Sequence, residues 1–402
     1  MIPSYIRKNY SGWTNHLGTV TTHEIARNEM GNRGSKSVVN YSNVYTTVKE
    51  QRVDGSWLLK NNLRYTLLTI ERCYITSLLS NRILTKRTFC SNNLNSHVSN
   101  SKLTQMQGLI NPNQITGFAD AEGAFMIKIR KNSKLKTGWA IEPSFEISIH
   151  IKDLELLKQI RNFFGNISNI LIKKDRNMCV FSVRSLEDIT SKIIPHFDLY
   201  PLITQKRVDY LLFKTVILKM LQKDHLTKEG VEAIINIRSA MNLGLTPILK
   251  EAFPLSVPVQ RPIVNNVLSS KAEHWVSGFT SGEGCFSISL IYNKDKTYVQ
   301  LKYSVSQLSR DRLLLESFIR YFNCGHLAES RGSVYFYVVK FTDIYDKIIP
   351  FFNENKILGI KSEDYLNWCK VAELVKEKKH LTKDGLDQII KIKEILNKKD
   401  TV

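Results

Sequence analysis

Two glutamates stand at matching places in the chain, each near the end of a glycine-containing apolar segment. Glu122 lies in ITGFADAEGAF, residues 115–125, and Glu283 lies in VSGFTSGEGCF, residues 276–286; five of the eleven positions are identical. Two converging carboxylates would repel each other unless a divalent cation bound to both of them. A glutamate that ends a helix before a glycine turn would explain one copy, but two symmetric copies favour a metal site.

Each segment is expected to form a helix that packs closely against the other helix. In the first, Ile115, Phe118 and Ala119 would form an apolar stripe, and small residues let two helix backbones approach. The glycines expected in this contact are Gly117, Gly123, Gly278, Gly282 and Gly284. The two glutamates would then emerge side by side. Asp120 has Ser281 as its counterpart, so no catalytic role is expected for that carboxylate.

The repeat extends well beyond these two segments. KIIPHF at 192–197 returns as KIIPFF at 347–352, and HLTKEG at 225–230 returns as HLTKDG at 380–385. The offset is 161 residues between the glutamates and 155 between the later blocks, so the order is kept while loop lengths differ. A repeat of this period indicates a duplicated domain of about 130 residues.

Composition and repeat divide the chain into four parts. Residues 1–105 contain 14 Lys and Arg against 5 Asp and Glu, and are predicted to be a basic extension, either a removable leader or a flexible arm. A short helix or strand pair is possible in 56–79. The two copies occupy 106–242 and 269–402. The four prolines of the intervening 243–268 exclude a continuous helix and predict an extended linker.

Each copy alternates between strand and helix patterns. FMIKIR at 125–130 and SFEISIHI at 144–151 alternate in the way that strands do. Asp153 and Gly165 are expected to cap the next helix at its two ends. The predicted fold class is α+β, with two pseudo-symmetric αββαββα(α) halves. Each half would be a curved antiparallel four-stranded sheet covered by helices, and the halves would pack through the two motif helices.

The composition limits the classes of partner and metal site. A formal charge of +20 favours a polyanionic partner, either nucleic acid or an acidic membrane surface, although a basic protein that is merely well solvated is the alternative. The chain has no run of eighteen apolar residues, so no transmembrane helix is expected. The six cysteines form no C-x-x-C pair and the nine histidines no H-E-x-x-H motif, so a zinc site is not expected.

The two segments resemble the eponymous motifs of LAGLIDADG homing endonucleases in their single-chain form, most closely the intron-encoded group of fungal mitochondria. The resemblance covers about residues 108–398. It implies a mitochondrial, monomeric endonuclease that hydrolyses double-stranded DNA at a specific site with Mg²⁺, or with Mn²⁺ or Ca²⁺. The acid at the eighth motif position binds metal in that family, which corresponds to Glu122 and Glu283. The main-chain carbonyls of Ala121 and Gly282 are further candidate ligands.

The same resemblance assigns residues beside the acids. A lysine of each half lies near the scissile phosphates in this family, and Lys206 and Lys361 occupy that position; solvent-facing charges are the alternative. Gln307 in YSVSQ corresponds to a polar residue that helps to order water. The first half has Ile149 at the aligned place, so the two DNA strands are expected to be cut at unequal rates.

The outward faces of the sheets are expected to contact DNA in the major groove. Strands of about ten residues span about 30 Å, so two sheets would cover roughly twenty base pairs. The candidates in the first half are Lys128, Arg130, Ser148, His150, Lys174, Arg176 and Arg184. Those in the second half are Ser287, Ser289, Lys302, Ser304, Tyr335, Tyr337 and Lys340. Each alone resembles an ordinary solvated strand residue, but the two sets differ, which predicts an asymmetric target.

Two other functions fit the same pattern. The family also includes maturases, which assist the splicing of group I intron RNA, and both activities can reside in one protein. A DNA-binding module without catalytic activity is the second alternative. The preserved acids and lysines favour cleavage, since neither alternative needs them.

Overall fold

The computed structural model describes residues 110–293 and 296–398, which form two halves of the same design and the segment between them. The first half contains α1 Pro112–Glu122, β1 Gly123–Lys131, β2 Trp139–His150, α2 Leu154–Phe163, β3 Ile170–Lys173, β4 Met178–Val183, α3 Ile194–Leu199, α4 Lys206–Leu221 and α5 Lys228–Ser239. One short helix, α6 Pro247–Ala252, follows. The second half contains α7 Glu273–Glu283, β5 Gly284–Asn293, β6 Lys296–Leu308, α8 Arg312–Phe322, β7 His326–Ser330, β8 Ser333–Val338, α9 Ile349–Glu354, α10 Lys361–Lys376 and α11 Lys383–Lys398.

Each half has one antiparallel sheet of four strands. The strand orders are β1-β2-β4-β3 and β5-β6-β8-β7, which are the same arrangement in the two halves. A π-helical turn precedes α3 at Ile189–Ile193 and another precedes α9 at Ile344–Ile348. The predicted α+β class and the repeated element order are confirmed.

The last phenylalanine of each motif segment is the hub of one hydrophobic core. The ring of Phe125 lies 5.1–5.5 Å, centroid to centroid, from the aromatic rings of Phe145, Phe197, Tyr210 and Phe213. Phe286 repeats this arrangement at 5.2–5.7 Å from Tyr303, Phe352, Tyr365 and Trp368. Because each hub lies three residues after a glutamate, core packing fixes where the helix that carries the glutamate ends.

The two halves meet through α1 and α7, where the missing glycine side chains allow backbone contact. A Cβ atom on Gly117 would lie 2.8 Å from the backbone nitrogen of Phe279, and one on Gly278 would lie 2.8 Å from the carbonyl carbon of Gln114. A Cβ on Gly282 would overlap the side chain of Ala121. The helices therefore approach more closely than side chains at these positions would allow.

The prediction was wrong for two of the five glycines. A Cβ on Gly123 would meet the carbonyl of Ala119, and a Cβ on Gly284 would meet Thr280, each within its own segment. Both glycines stand at the C-cap of their helix in an extended conformation. They allow the turn from helix into strand and take no part in the contact between the halves.

The segment between the halves is less extended than its prolines predict. It contains the six-residue helix α6, which begins at Pro247, where the missing N–H of proline is tolerated. Farther along, Arg261 Nη1 lies 3.1 Å from the buried carboxylate of Asp209 in α4. This ion pair fixes the segment against the first half.

Asp153 does not play the capping role predicted for it. It stands at the N-cap position of α2, but its side chain makes no hydrogen bond to that helix. Gly165 follows the end of α2 with a φ of +80°, in the left-handed region that favours glycine. The predictions for residues 1–105, including 56–79, lie outside the described residues. Within the described ranges, no helix is both long and apolar enough to cross a membrane.

We predict that Gly117→Ala lowers the free energy of unfolding by about 3 kcal/mol, because its methyl group has no space against the backbone of α7. Urea unfolding followed by circular dichroism measures this loss. Gly138→Ala is the control, since a Cβ there meets nothing within 4 Å although φ is +76°. It should cost about 1 kcal/mol through backbone strain alone. Equal losses for the two variants would contradict the close helix contact.

Candidate active site

The structure brings Glu122 and Glu283 to the same end of the helix pair. Each is the last residue of its helix, α1 or α7, and each is partly buried. A Cβ on Gly282 would lie 3.2 Å from both Cγ and Oε1 of Glu122, so this side chain lies over the residue that precedes Glu283. The contact between the halves therefore places one carboxylate from each half in one small region.

Each of the two predicted lysines reaches the helix end of its own half. Lys206 Nζ donates to the carbonyl oxygens of Ala119 at 3.0 Å and Ala121 at 3.2 Å. Lys361 Nζ donates to the carbonyl oxygen of Gly282. The carbonyl end of a helix carries partial negative charge, which favours an ammonium group there. Both lysines are therefore placed beside the glutamates, and solvent-facing positions are excluded.

Burial and charge act on Lys206 in opposite directions. Burial lowers the pKa of its ammonium group, and the carboxylates of Asp120, Glu122 and Glu283 oppose this change. Because both glutamates influence the same ammonium group, the field at Lys206 comes from both halves. A cation beside two carboxylates also reduces their mutual repulsion.

Asp120 has a structural role as a buried hydrogen-bond acceptor, in agreement with the expectation that it is not catalytic. This buried carboxylate accepts hydrogen bonds from Trp275 Nε1 at 2.8 Å, the backbone N–H of Ile203 at 2.7 Å and Thr204 Oγ1 at 2.6 Å. Burial raises the pKa of Asp120, and these hydrogen bonds act against that rise. Its counterpart Ser281 accepts a single backbone hydrogen bond, from Leu358 at 2.8 Å.

Strand register supports the alignment of Gln307 with Ile149. Val305 pairs with Gly284, and Ile147 pairs with Gly123, so the aligned residues each lie two positions past a matching pair. Gln307 is partly buried, whereas Ile149 is buried at 7% exposure. The second half thus has a polar side chain at this position in the sheet, and the first half has an apolar one.

The outward face of the first sheet differs in part from the predicted set. Lys128, Arg130, Ser148 and His150 lie on β1 and β2 on that face. Lys174 and Arg176, which were predicted to lie on the sheet face, instead form a 3₁₀ turn between β3 and β4, closed by Asn177 in the left-handed conformation. Arg184 lies just after the end of β4. The alternation of the sequence could not place these side chains because β3 has only four residues.

Two carboxylates on the same outward face were missed. Glu142 accepts hydrogen bonds from Arg130, and Glu146 lies 3.6 Å from Lys128 and 3.5 Å from Arg184. Both glutamates lie an even number of residues from Ser148 on the same strand, so they face the same side of the sheet. The alternating pattern that predicted an outward Ser148 also predicts outward glutamates. Three of the predicted cations, Lys128, Arg130 and Arg184, are therefore paired with these two carboxylates.

The second sheet matches its predicted set except at one residue. Ser287, Ser289, Lys302 and Ser304 lie on β5 and β6, and the ring of Tyr337 lies 5.2 Å below Lys302 Nζ. Tyr335 and Tyr337 pair with Ser306 and Ser304 on the same face. Lys340 lies beyond the end of β8 at the N-cap of the next helical turn, 4.0 Å from Asp343, so it is not a strand residue.

The oxygen donors at this site suit a hard divalent cation whose coordination is completed by other ligands. Among the described residues, no three His, Cys, Asp or Glu side chains are grouped as a metal site. Glu122, Glu283 and the carbonyls of Ala121 and Gly282 offer only oxygen atoms, the ligand type that Mg²⁺ and Ca²⁺ prefer. Mg²⁺ is commonly held by one or two carboxylates together with water and substrate phosphates. The residues present fit that kind of site.

Comparison with known proteins decides the family. A family model for LAGLIDADG endonucleases matches residues 115–217 and 276–372, one region for each glutamate. Probable intron-encoded endonuclease 3 of Neurospora crassa is 39% identical over 403 residues, which cover 96% of this chain and 74% of that protein. The chain belongs to the LAGLIDADG endonuclease family.

Two further similarities come from an intron protein and a solved structure. An uncharacterized 50.9 kDa protein of ND4 intron 1 in Podospora anserina is 37% identical over 199 residues, 45% of this chain and 41% of that protein. The LAGLIDADG fold of this chain superposes with a TM-score of 0.70 on I-SmaMI bound to uncleaved DNA target in the presence of calcium ions. That pair is 41% identical, and the match covers 71% of this chain and 99% of I-SmaMI.

We predict that Asp120→Ala lowers the free energy of unfolding by about 3 kcal/mol, because three buried donors lose their acceptor at about 1 kcal/mol each. Ser281→Ala removes one such acceptor and should cost about 1 kcal/mol. Asp120→Asn should be milder than Asp120→Ala, since its oxygen still accepts and its amide can donate to Thr204 Oγ1. Urea unfolding compares the three variants, and equal losses for Asp120→Ala and Ser281→Ala would refute this account.

Proposed function

We propose that this protein is a site-specific endonuclease that hydrolyses one phosphodiester bond in each strand of a long, asymmetric DNA duplex. The observation that carries the proposal is the pair of glutamates at adjoining helix ends, each accompanied by a lysine of its own half. The chain is similar over nearly the whole length of I-SmaMI, which is described in complex with a DNA target. One acid and one lysine per half suit the cutting of two strands.

Glu122 and Glu283 are the proposed ligands of a divalent cation, and Mg²⁺ is the proposed physiological ion. When bound, such an ion lowers the pKa of its water and stabilises the leaving oxygen. The calcium ions in the I-SmaMI complex support the use of a divalent cation in this family. The carbonyls of Ala121 and Gly282 remain candidate ligands, although each already accepts a hydrogen bond from a lysine.

Lys206 and Lys361 are proposed to stabilise the negative charge that develops on the phosphate during cleavage. Their ammonium groups are already held near the glutamates, so the lysine side chains need to move little when the phosphate binds. Gln307 is proposed to orient water in the second half. Ile149 lacks any group for this role, which favours unequal rates on the two strands.

The two sheets are proposed to read DNA through unlike surfaces. The first presents cations paired with Glu142 and Glu146, and the second presents serines, tyrosines and Lys302. A carboxylate can accept from the amino group of cytosine, whereas lysine and arginine contact guanine or phosphate. These differences support an asymmetric target. The proposed division is two DNA-binding halves, 106–242 and 269–402, joined by 243–268 and preceded by 1–105.

We further propose a mitochondrial location and action as a monomer. The ND4 gene, after whose intron the Podospora anserina relative is named, is mitochondrial. Two halves on one chain already supply both active-site acids, so a second copy is not required. The maturase alternative receives no support from a specific contact in the described residues. The acids and lysines favour DNA cleavage.

The test uses a duplex that spans the exon junction where the intron encoding this protein is inserted. We predict that Glu122→Gln and Glu283→Gln each abolish double-strand cleavage, because a neutral amide replaces a metal ligand. Affinity for the same duplex, measured by fluorescence anisotropy in Ca²⁺, should change by less than about tenfold. Chelation with EDTA should stop the wild-type enzyme, and added Mg²⁺ should restore it.

Glu251→Gln is the matched control, since Glu251 is an exposed glutamate on α6. It should cleave like the wild type. Undiminished cleavage by either Glu122→Gln or Glu283→Gln would overturn the assignment of the acids. Failure of the wild-type protein to cut this duplex while it binds the intron RNA would favour the maturase.

A further inference from the structure

The start of the helix that carries Lys206 is held by a carboxylate of the opposite half. Asp311 belongs to the second half and is 2% exposed. Its Oδ1 accepts a hydrogen bond from the backbone N–H of Gln205 at 2.7 Å. Gln205 is the residue immediately before Lys206, the first residue of α4. A hydrogen bond between the halves is thus made by the residue next to one of the two lysines.

The second half shows the reciprocal contact. Asp153 Oδ1, from the first half, accepts a hydrogen bond from the backbone N–H of Ile360 at 2.7 Å. Ile360 immediately precedes Lys361, the first residue of α10. Gly359 permits this approach, since a Cβ there would overlap the Asp153 carboxylate. The same contact is therefore made twice, once in each direction.

Each aspartate accepts a hydrogen bond from the start of a helix other than the one it precedes. Asp153 and Asp311 stand at the N-cap positions of α2 and α8, but neither side chain bonds to its own helix. Gln205 and Ile360 stand at the N-cap positions of α4 and α10, and neither caps its helix with a side chain. The first N–H groups of a helix need outside acceptors, and a carboxylate at this end is favoured by the helix dipole.

Polar groups around Asp311 partly offset the cost of burying its charge. Asn266 Nδ2 donates to the same Oδ1 at 3.1 Å, and Arg310 Nε lies 3.8 Å from Oδ2. Burial raises the pKa of Asp311 to about 6, so the group is still mostly ionised at neutral pH. An ionised carboxylate makes stronger hydrogen bonds to N–H groups than a neutral acceptor does.

We propose that Asp311 and Asp153 are positioning residues for cleavage, each fixing across the interface the helix start that places the other half's lysine. The proposal rests on the endonuclease function proposed above. Lys206 Nζ and Lys361 Nζ contact carbonyls beside the glutamates, so a shift of either helix start moves one ammonium group and leaves the other in place. Loss of one aspartate should therefore slow the cutting of one DNA strand only.

The experiment measures the rate of cutting of each strand separately. The exon-junction duplex carries a different fluorophore on each strand, and enzyme is in saturating excess with Mg²⁺. The ratio of the two strand rates does not depend on the fraction of folded enzyme. Lys206→Ala and Lys361→Ala first establish which strand each lysine serves. Asp311→Ala should slow the Lys206 strand, and Asp153→Ala the Lys361 strand, by about 10- to 100-fold relative to the other strand.

Three comparisons separate positioning from a merely structural role. Asp311→Asn and Asp153→Asn keep an oxygen acceptor and should bring the ratio closer to the wild-type value than the Ala variants do. Ser317→Ala is the matched control, since Ser317 lies on the helix that Asp311 precedes and accepts a partly buried hydrogen bond from the N–H of Leu268. It should lower stability and leave the ratio unchanged. Equal slowing of both strands by Asp311→Ala would overturn the inference, whereas a wild-type enzyme that cuts neither strand would refute the endonuclease itself.

Discussion

The close backbone contact between α1 and α7 is the constraint on which the rest of the structure depends. Glycine at 117, 278 and 282 leaves room for the opposite helix, so the two helices end side by side. A strand begins directly after each helix, and the phenylalanine three residues after each glutamate is packed into an aromatic core. The carboxylates are therefore fixed from two directions, by the contact between the halves and by the core of each half.

The halves complete each other as the subunits of a symmetric dimer do. Trp275 donates to Asp120, and Gln114, its counterpart in the repeat, donates to Ser277. Asp311 and Asp153 accept hydrogen bonds from the backbone N–H groups at the starts of α4 and α10. The contact made by the aspartates is kept in both directions, whereas Trp275 and Gln114 bond to non-equivalent residues of the opposite motif helix. The outward faces, which carry no such reciprocal constraint, have diverged into an acid-paired basic surface and a tyrosine-containing one.

Features that depend on local sequence could be predicted. The long strands β2 and β6 alternate clearly, and the repeat identifies Glu122, Glu283, Lys206 and Lys361 because each appears twice at the same place. Features that depend on distant parts of the chain could not. Asp153 has the sequence signature of a helix cap, but its acceptor is used by Ile360, 207 residues away. Lys174 and Arg176 were assigned to the sheet face although they lie in the β3–β4 turn, because the four residues of β3 are too few to show a period.

The central claim is that one acid from each half binds metal at the end of the helix pair. Anomalous diffraction from a crystal of the protein with Mn²⁺ and its uncleaved duplex tests this most directly. The account predicts Mn²⁺ peaks within about 2.0–2.6 Å of carboxylate oxygens of Glu122 and Glu283, with phosphate oxygens among the remaining ligands. Peaks that lie elsewhere, or that involve neither glutamate, would contradict it.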